Sequence, residues 1–388
     1  MAKNIVICCD GTANQFSKDR TNVVKLFYML EQGTNQQIAY YHPGVGTMEP
    51  VGALTTVARK LTKVLGLAFG YGLSSDIQNA YTYLMNNYQE GDKVYLFGFS
   101  RGSYTARAVC SMLNLYGLLS PGNDSMVPYA VRMMLAIPRA EKVKSTEETR
   151  DAVADYFQLA ADFKAAMGRG ACKPHFVGVW DTVSSVGWFA DSLKLPFTAD
   201  NPDIAIGRHA ISIDERRAFF RTNRWIPSPA SSVHGPKDVQ QVWFAGVHCD
   251  VGGGYPEAKS GLAKISLEWM VEEAKAAGLL INLERQNEVL GRLPVGKYVA
   301  PDPDGCMHEE LKGAWKLAEW VRKPHYDAAT GKMTKQANHG RRRTIPANAW
   351  IRASVFLREG GAYAQRINLP SGVQRVQTVS HSVPVTGA

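Results

Sequence analysis

A serine flanked by glycines, Gly98-Phe99-Ser100-Arg101-Gly102, closes the apolar run of residues 94–97 and precedes a helical stripe at Val109, Met112, Leu113 and Tyr116 that ends at Gly117. Gly-x-Ser-x-Gly alone is a weak signal, so its context carries the weight. Strand, tight turn and helix in that order make a nucleophile elbow. The glycines let strand and helix approach, while the serine takes a strained backbone conformation and lifts its hydroxyl above the sheet. The helix N-terminus adds a positive dipole and free amides where an oxyanion would form. Ser100 is thus the candidate nucleophile, with Gly98 and Gly102 lining its site.

A serine hydroxyl attacks only when a histidine takes its proton and a carboxylate orients that histidine. Later strand ends offer both. HFVGVWDTVSS carries Asp181, and VQQVWFAGVHCDVGGGY carries His248 and Asp250. Of the nine histidines, His248 ends a strongly apolar strand and leads into a glycine-rich turn, whereas His234, His308, His325 and His339 fall in polar loops. Two assignments stand: Ser100 with Asp181 and His248, or Ser100 with Asp250 and His381 from the tail segment VSHSVP.

Asp10, in ICCDGTAN, also ends an apolar run. The loop after an early strand commonly supplies half of an oxyanion hole, so the amides of Gly11 and Thr12 are expected to join that of Arg101, the residue after the nucleophile. Asp10 itself is expected to brace that loop by hydrogen bonds. No metal is expected: Asp302, Asp304 and Gly305 lack the other ligands of a calcium loop, and Cys306 and His308 lack a second ligand pair for zinc. Gly44, Gly46 and the glycines 252–254 come without a Walker lysine or a dinucleotide-binding spacing, so they are read as turns and no cofactor is expected.

These groups need elements to hold them. Strand-like runs at 4–9, 37–42, 93–97, 175–180 and 241–247 alternate with helical stripes. One stripe is Val23, Val24, Phe27 and Leu30, stopping at Gly33. Another is Ile77, Ala80, Tyr81, Leu84 and Tyr88, after the cap candidates Ser74 and Ser75. A further one is Leu262, Ile265, Trp269 and Met270, ending near Gly278. The alternation predicts an α/β, α/β-hydrolase-like fold, a mostly parallel sheet with helices on both faces. Residues 1–282 are expected to form the catalytic domain, with a helical, charged cap insertion at about 120–172. Residues 283–388, rich in Pro, Gly and Arg, are expected to form an accessory C-terminal region with a flexible tail from about residue 370.

A chain of 388 residues with 45% hydrophobic and 20% charged residues is ordinary globular protein, which excludes disorder and fibres. Lys plus Arg exceed Asp plus Glu by 44 to 35. The dense basic run is Arg341-Arg342-Arg343, without interleaved aromatics, so the charge is read as a solvated surface and no nucleic-acid partner is expected. The apolar run before Asp10 is too short for a signal-peptide core, and no stretch approaches a membrane span, which points to a cytoplasmic place in the producing cell. The six cysteines lack framework spacing and are expected to be free thiols. Between residues 44 and 72 a basic amphipathic stretch with Arg59, Lys60 and Lys63 either meets a lipid interface or packs on the core.

Taken in order, CCDGTAN, YHPGVGT, GYGLSSDIQNAYTYL, GFSRGSYTARAV, GVWDTVSSVG and VWFAGVHCDVGGGY closely resemble the catalytic domain of the type VI secretion phospholipase effectors, over about residues 3–280. The resemblance implies a Ser-Asp-His esterase of phospholipase A type acting on membrane phospholipids. It also implies an antibacterial toxin delivered without a signal peptide, with a secretion-machinery carrier and an immunity protein as partners. Carried over by motif, the GFSRG serine is Ser100, the WDTV aspartate Asp181 and the GVH histidine His248, which favours Asp181 over Asp250. Similar proteins often place a histidine before Ser-Val in a stretch like IRASVFLREGGAYAQRINLP, where this chain has Arg352-Ala353, a position expected to be peripheral. Rival readings are a soluble carboxylesterase or thioesterase on small esters and a non-catalytic adaptor on the same fold. The intact Ser100, Asp181 and His248 speak against the adaptor.

Overall fold

In the computed structural model, which describes residues 2–11, 20–44, 69–137, 147–183, 195–225, 238–327 and 332–377, the run NIVICC forms strand β1 (Asn4–Cys9) with every residue buried. Its side chains divide between two cores: Ile5, Ile7 and Cys9 pack on one face of the sheet, Val6 and Cys8 on the other. A strand buried on both faces reads as a continuous apolar run rather than an alternating one.

The chain continues through α1 (Asn22–Met29), β2 (Gln37–His42), α2 (Phe69–Asn87), β3 (Lys93–Phe99), α3 (Arg101–Tyr116), α4 (Val127–Leu135) and α5 (Glu147–Met167). Then come β4 (Pro174–Trp180), β5 (Ile206–Ser212), β6 (Asp238–Phe244), α6 (His248–Gly252) and α7 (Gly261–Ala276), followed by β7 (Lys323–Asp327), β8 (Lys332–Gln336), β9 (Trp350–Arg352) and β10 (Gln374–Val376). Eight strands form one sheet in the order β10-β9-β6-β5-β4-β3-β1-β2, and all its pairings are parallel. Residues of α2, α3, α4 and α5 build the core on one face; α1 and α7 build it on the other. The expected α/β sheet with helices on both faces is thus present.

The chain passes from β1 to β2 on one side and back to β3 on the other, a topological switch point of the kind beyond whose C-terminal strand ends open α/β sheets bind their ligands. Asp10 and Ser100 lie immediately beyond the ends of β1 and β3.

Several elements differ from expectation. Helix α2 starts at Phe69, ahead of Ser74 and Ser75. Strand β5 was not foreseen, because its buried Arg208 and His209 break the apolar run. Arg208 is neutralised there by Glu273 at 2.6 Å and Asp238 at 2.8 Å. Residues beyond 282 are joined to the main sheet: β9 and β10 extend it beside β6, and Ile351, Val355 and Tyr363 share a core with Trp243 and Ile211. Pairing of β10 with β9 carries order past residue 370.

The described helices of the 120–172 insertion lie along the flank of the sheet. Through Tyr156, Phe163 and Lys164, α5 meets Tyr116 and the Asn114 carbonyl at the C-terminal end of α3. That end is about 24 Å from Ser100 at a rise of 1.5 Å per residue. Residues 45–68, which hold most of the basic amphipathic stretch, lie outside the described residues.

Candidate active site

The five residues after the β3 core run make a turn that only their composition permits. Ser100 sits at φ 58° and ψ −117°, a left-handed conformation costly for a side chain with a Cβ. Gly98 and Gly102 explain how the turn fits: a Cβ on Gly98 would overlap the Gly102 backbone, and one on Gly102 would overlap the Cys9 carbonyl at the end of β1. The Ser100 N–H donates to the Trp180 carbonyl at 3.0 Å. The Ser103 hydroxyl reaches the carbonyls of Gly98 and Trp180 at 2.8 and 2.9 Å. The serine is therefore held half-buried at the start of α3, tied to the strand end that delivers Asp181.

Asp181 follows Trp180 directly, is 0% exposed, and also has a positive φ of 42°. Its Oδ2 lies 2.6 Å from His248 Nδ1, and its two oxygens accept the Ser212 N–H at 2.9 Å and the Ser212 hydroxyl at 3.1 Å. The Arg343 guanidinium grips the same carboxylate with both terminal nitrogens, at 2.5 Å on Oδ1 and 3.1 Å on Oδ2. Burial acts against the charged form, but the Arg343 charge and the His248 hydrogen bond outweigh it and hold the carboxyl well below the usual range. An ionised carboxylate has no proton to give, so Nδ1 of His248 is the donor in this bond, and in the neutral ring Nε2 is then the nitrogen with the lone pair.

His248 opens α6, which starts four residues after β6 ends. Its ring packs 4.6 Å from the ring of Phe99, the residue before Ser100, and 4.9 Å from that of Phe220. Close approach of α6 to the β3 end requires Gly252, because a Cβ there would overlap the Phe99 ring. The elements after β3, β4 and β6 thus carry Ser100, Asp181 and His248 at the C-terminal end of the sheet, with Asp181 bonded to His248 and the His248 ring against Phe99, the neighbour of Ser100.

Asp10 braces its loop as expected: Oδ1 accepts the Gly11 N–H at 2.7 Å, and Oδ2 accepts the hydroxyls of Thr21 at 2.7 Å and Tyr41 at 2.8 Å. The Gly11 amide is consequently engaged by Asp10, which corrects the expectation that it would serve an oxyanion. Thr12 lies outside the described residues. The Arg101 amide stands at the first position of α3. Burial pushes the Arg101 guanidinium down to about 9, with Asp76 pulling the other way.

Asp250 is used elsewhere. Its Oδ2 accepts the N–H groups of Val247 and His308, both at 3.0 Å, and its Oδ1 lies 2.6 Å from His308 Nδ1. Burial pushes its carboxyl up despite those bonds. Asp250 thus ties the start of α6 to the 306–310 loop, and His381 lies outside the described residues. Arg352 ends β9 and donates to the Gln377 carbonyl at 3.1 Å, in the field of Glu272, Glu268 and Glu273. Among the described residues no group of three or more His, Cys, Asp or Glu is placed to hold a metal ion, and no helix is long and apolar enough to cross a membrane. All six cysteines are free.

Sequence reasoning missed Arg343 and Ser212. Arg343 sits in a basic run that resembles solvated surface, and Ser212 ends the strand that was not foreseen.

Over residues 3–273 the chain matches the family described as T6SS, Phospholipase effector Tle1-like, catalytic domain. It is 36% identical over 235 residues to the uncharacterized protein YEL023C of Saccharomyces cerevisiae, a stretch covering 58% of this chain and 33% of that protein. Among solved structures, an uncharacterized protein from Pseudomonas aeruginosa aligns with a TM-score of 0.39 and 19% identity, over 77% of this chain and 49% of that one. The Tle1 effector bound to the VgrG spike from the type 6 secretion system aligns with a TM-score of 0.33 and 18% identity, over 67% of this chain and 52% of that one. The chain spans 33% of the length of the curated relative and about half of each solved structure.

Proposed function

We propose, on the premise that the chain belongs to the family of T6SS phospholipase effector Tle1-like catalytic domains, that it is a serine esterase that cleaves acyl ester bonds of phospholipids. The observation that carries this reading is the 2.6 Å bond from His248 to an ionised Asp181, at the strand end that also anchors the strained Ser100.

In this reading His248 Nε2 takes the Ser100 proton as Oγ attacks the acyl carbonyl. The resulting oxyanion meets the Arg101 amide at the positive end of α3. Collapse breaks the acyl–oxygen bond, and His248 returns the proton to the departing lysolipid alkoxide. A water then gives its proton to His248 and attacks the acyl-serine, releasing a fatty acid and restoring the serine. Asp181 keeps the imidazole in the tautomer that both halves need and stabilises the imidazolium formed in each.

The family's description as type VI secretion phospholipase effectors supports a signal-independent route out of the producing cell; a secretion-machinery carrier, a membrane surface as target and an immunity protein are the partners this reading implies.

The test is incubation of the protein, with Ser100→Ala beside it, on mixed phospholipid vesicles, followed by mass spectrometry of fatty acids and lysolipids. Release by the parent alone supports the reading and identifies the ester cut. Covalent labelling of Ser100 by a fluorophosphonate without any lipid release would move the substrate to a soluble ester.

A further inference from the structure

Arg343 is 162 residues from Asp181 in the chain and outside the family-matched stretch, yet it makes the most extensive contact that Asp181 has. We propose that Arg343 is a positioning residue that aims Asp181, and through it His248, so that the segment after β8 is part of the reacting unit. The proposal rests on the serine-esterase reading above.

The segment is fastened so that the guanidinium reaches its place. The Asn338 side chain donates to the Arg216 carbonyl at 2.7 Å and to Glu319 at 2.6 Å. The Gly340 N–H donates to the same Glu319 carboxylate at 2.8 Å, and the Gly340 carbonyl accepts from Arg216 Nε at 2.7 Å. Three residues on, Arg343 has only 8% of its side chain exposed. Besides both oxygens of Asp181, its nitrogens reach the Ser212 hydroxyl at 2.7 Å, the Ser212 carbonyl at 3.2 Å and the Phe220 carbonyl. Phe220 is the residue whose ring packs on His248. One guanidinium therefore fixes the carboxylate, the strand end beside it and the backbone of a residue that shapes the histidine pocket.

A planar fork of two parallel N–H donors matches a carboxylate as no other side chain does, and it carries a charge that never titrates. Without it, a fully buried carboxylate would keep only Ser212 and His248. Burial would then favour its protonated form. A protonated Asp181 can donate to Nδ1 and turn the imidazole into the wrong tautomer, and it cannot stabilise the imidazolium.

The surrounding groups do not replace this charge. From β5, His209 is held neutral, its pKa pushed down to about 3 by burial and the Arg107 charge, while its Nε2 accepts the Thr182 N–H at 3.1 Å. Beyond β5, Glu215 is paired with Arg217 at 2.7 Å and accepts the His248 N–H at 3.3 Å. On α6, Asp250 is paired with His308. Among the described residues, Arg343 is the arginine or lysine whose charge is paired with Asp181.

The test measures the rate of fluorophosphonate labelling between about pH 5 and 9 on the full chain, a range that spans an ordinary histidine titration. Thermal unfolding is recorded for each protein. The variants are Arg343→Met, Arg343→Gln and Arg343→Lys, with Ser100→Ala as the unlabelled control. We expect the Met and Gln variants to label roughly 10²-fold more slowly at the acid end, the scale of a general-base contribution, and to recover toward the alkaline end. Lys, which restores the charge without the fork, should keep the parent's pH profile at a rate several-fold below the parent's.

Met and Gln variants that follow the parent at every pH overturn the proposal. So does a loss equal at every pH that tracks lost folded protein, the mark of a merely structural residue. If neither neutral variant folds, Arg343→Lys decides: slower labelling with the parent's pH profile supports the fork, and the parent's rate throughout overturns it. A parent that does not label overturns the serine reading, and this proposal with it. A labelled parent matched by all three variants overturns the assignment of Arg343 alone.

Discussion

Two aspartate–histidine pairs meet at α6. His248 and Asp250 are two residues apart on that helix, and each bonds a partner from elsewhere in the chain at 2.6 Å through a histidine Nδ1. Distance does not separate them; their surroundings do. Asp181, His248's partner, has a guanidinium across both oxygens and is held ionised, and the histidine packs on Phe99 beside a strained serine. Asp250 takes two backbone N–H groups instead, and burial pushes its carboxyl up. His308 stacks on Tyr255 with ring centroids 3.6 Å apart, and Tyr255 bonds Glu310. In the proposed mechanism the first pair shuttles a proton, while the second staples a loop to a helix. The charge next to the carboxylate and the group next to the histidine decide what such a pair does.

Substitutions that strike one pair at a time should break this comparison if it is wrong. The largest expected effect is on turnover: Asp181→Asn should lower kcat/KM by about 10⁴-fold, as loss of the orienting carboxylate does in serine enzymes. Asp250→Asn keeps a side-chain oxygen for the Val247 and His308 N–H groups and loses the charge beside His308, so it should cost less than about tenfold. Ester hydrolysis by the two purified variants measures both, and equal losses would merge the pairs.

A smaller effect is on stability. Gly246 has φ +107°, and a Cβ there would overlap the Asp250 side chain. Gly246→Ala should therefore destabilise the fold by about 1–3 kcal/mol, the usual range for overpacking, and leave Ser100 reactive in the protein that remains folded. Denaturant melts combined with labelling check both halves.

The smallest effect is the pH dependence of stability, where the pairs have opposite signs. Asp181 is depressed on folding, so the stability it adds is present above its unfolded value of about 3.9 and is lost as pH falls below that. Asp250 is raised, so its contribution is full below about 3.9 and is lost as pH rises through the higher folded value. Asp181→Asn should flatten the acid side of the unfolding profile. Asp250→Asn should flatten the side above about pH 4. Unfolding free energies of the three proteins across both sides would reveal a shared sign if the assignment is wrong.

What could be read in advance follows from how local each signal is. Strand β3, the elbow and α3 are consecutive in the chain, and the steric need for Gly98 and Gly102 is written within five residues. That Asp181 and His248 follow apolar strand ends was legible because β4 is buried nearly throughout and β6 in its last three residues. Strand β5 was hidden, since Arg208 and His209 are buried there by pairing with groups from β6 and α7, which no local pattern reports. Strands β9 and β10 have three residues each, too few to show a period. Arg343 was the hardest to see: its partner is 162 residues away, and a run of three arginines looks the same whether it faces water or a buried carboxylate. The Gly11 amide was misjudged for a related reason, because the hydrogen bond that occupies it comes from the side chain of the preceding residue.

The most direct measurement is fluorophosphonate labelling, with the modified residue located by mass spectrometry, on the parent, His248→Gln and His308→Gln. We predict a label on Ser100 in the parent and in His308→Gln at similar rates, with almost none in His248→Gln. A label on another residue, or His248→Gln labelling as fast as the parent, would contradict the assignment of Ser100, His248 and Asp181 as the reacting groups.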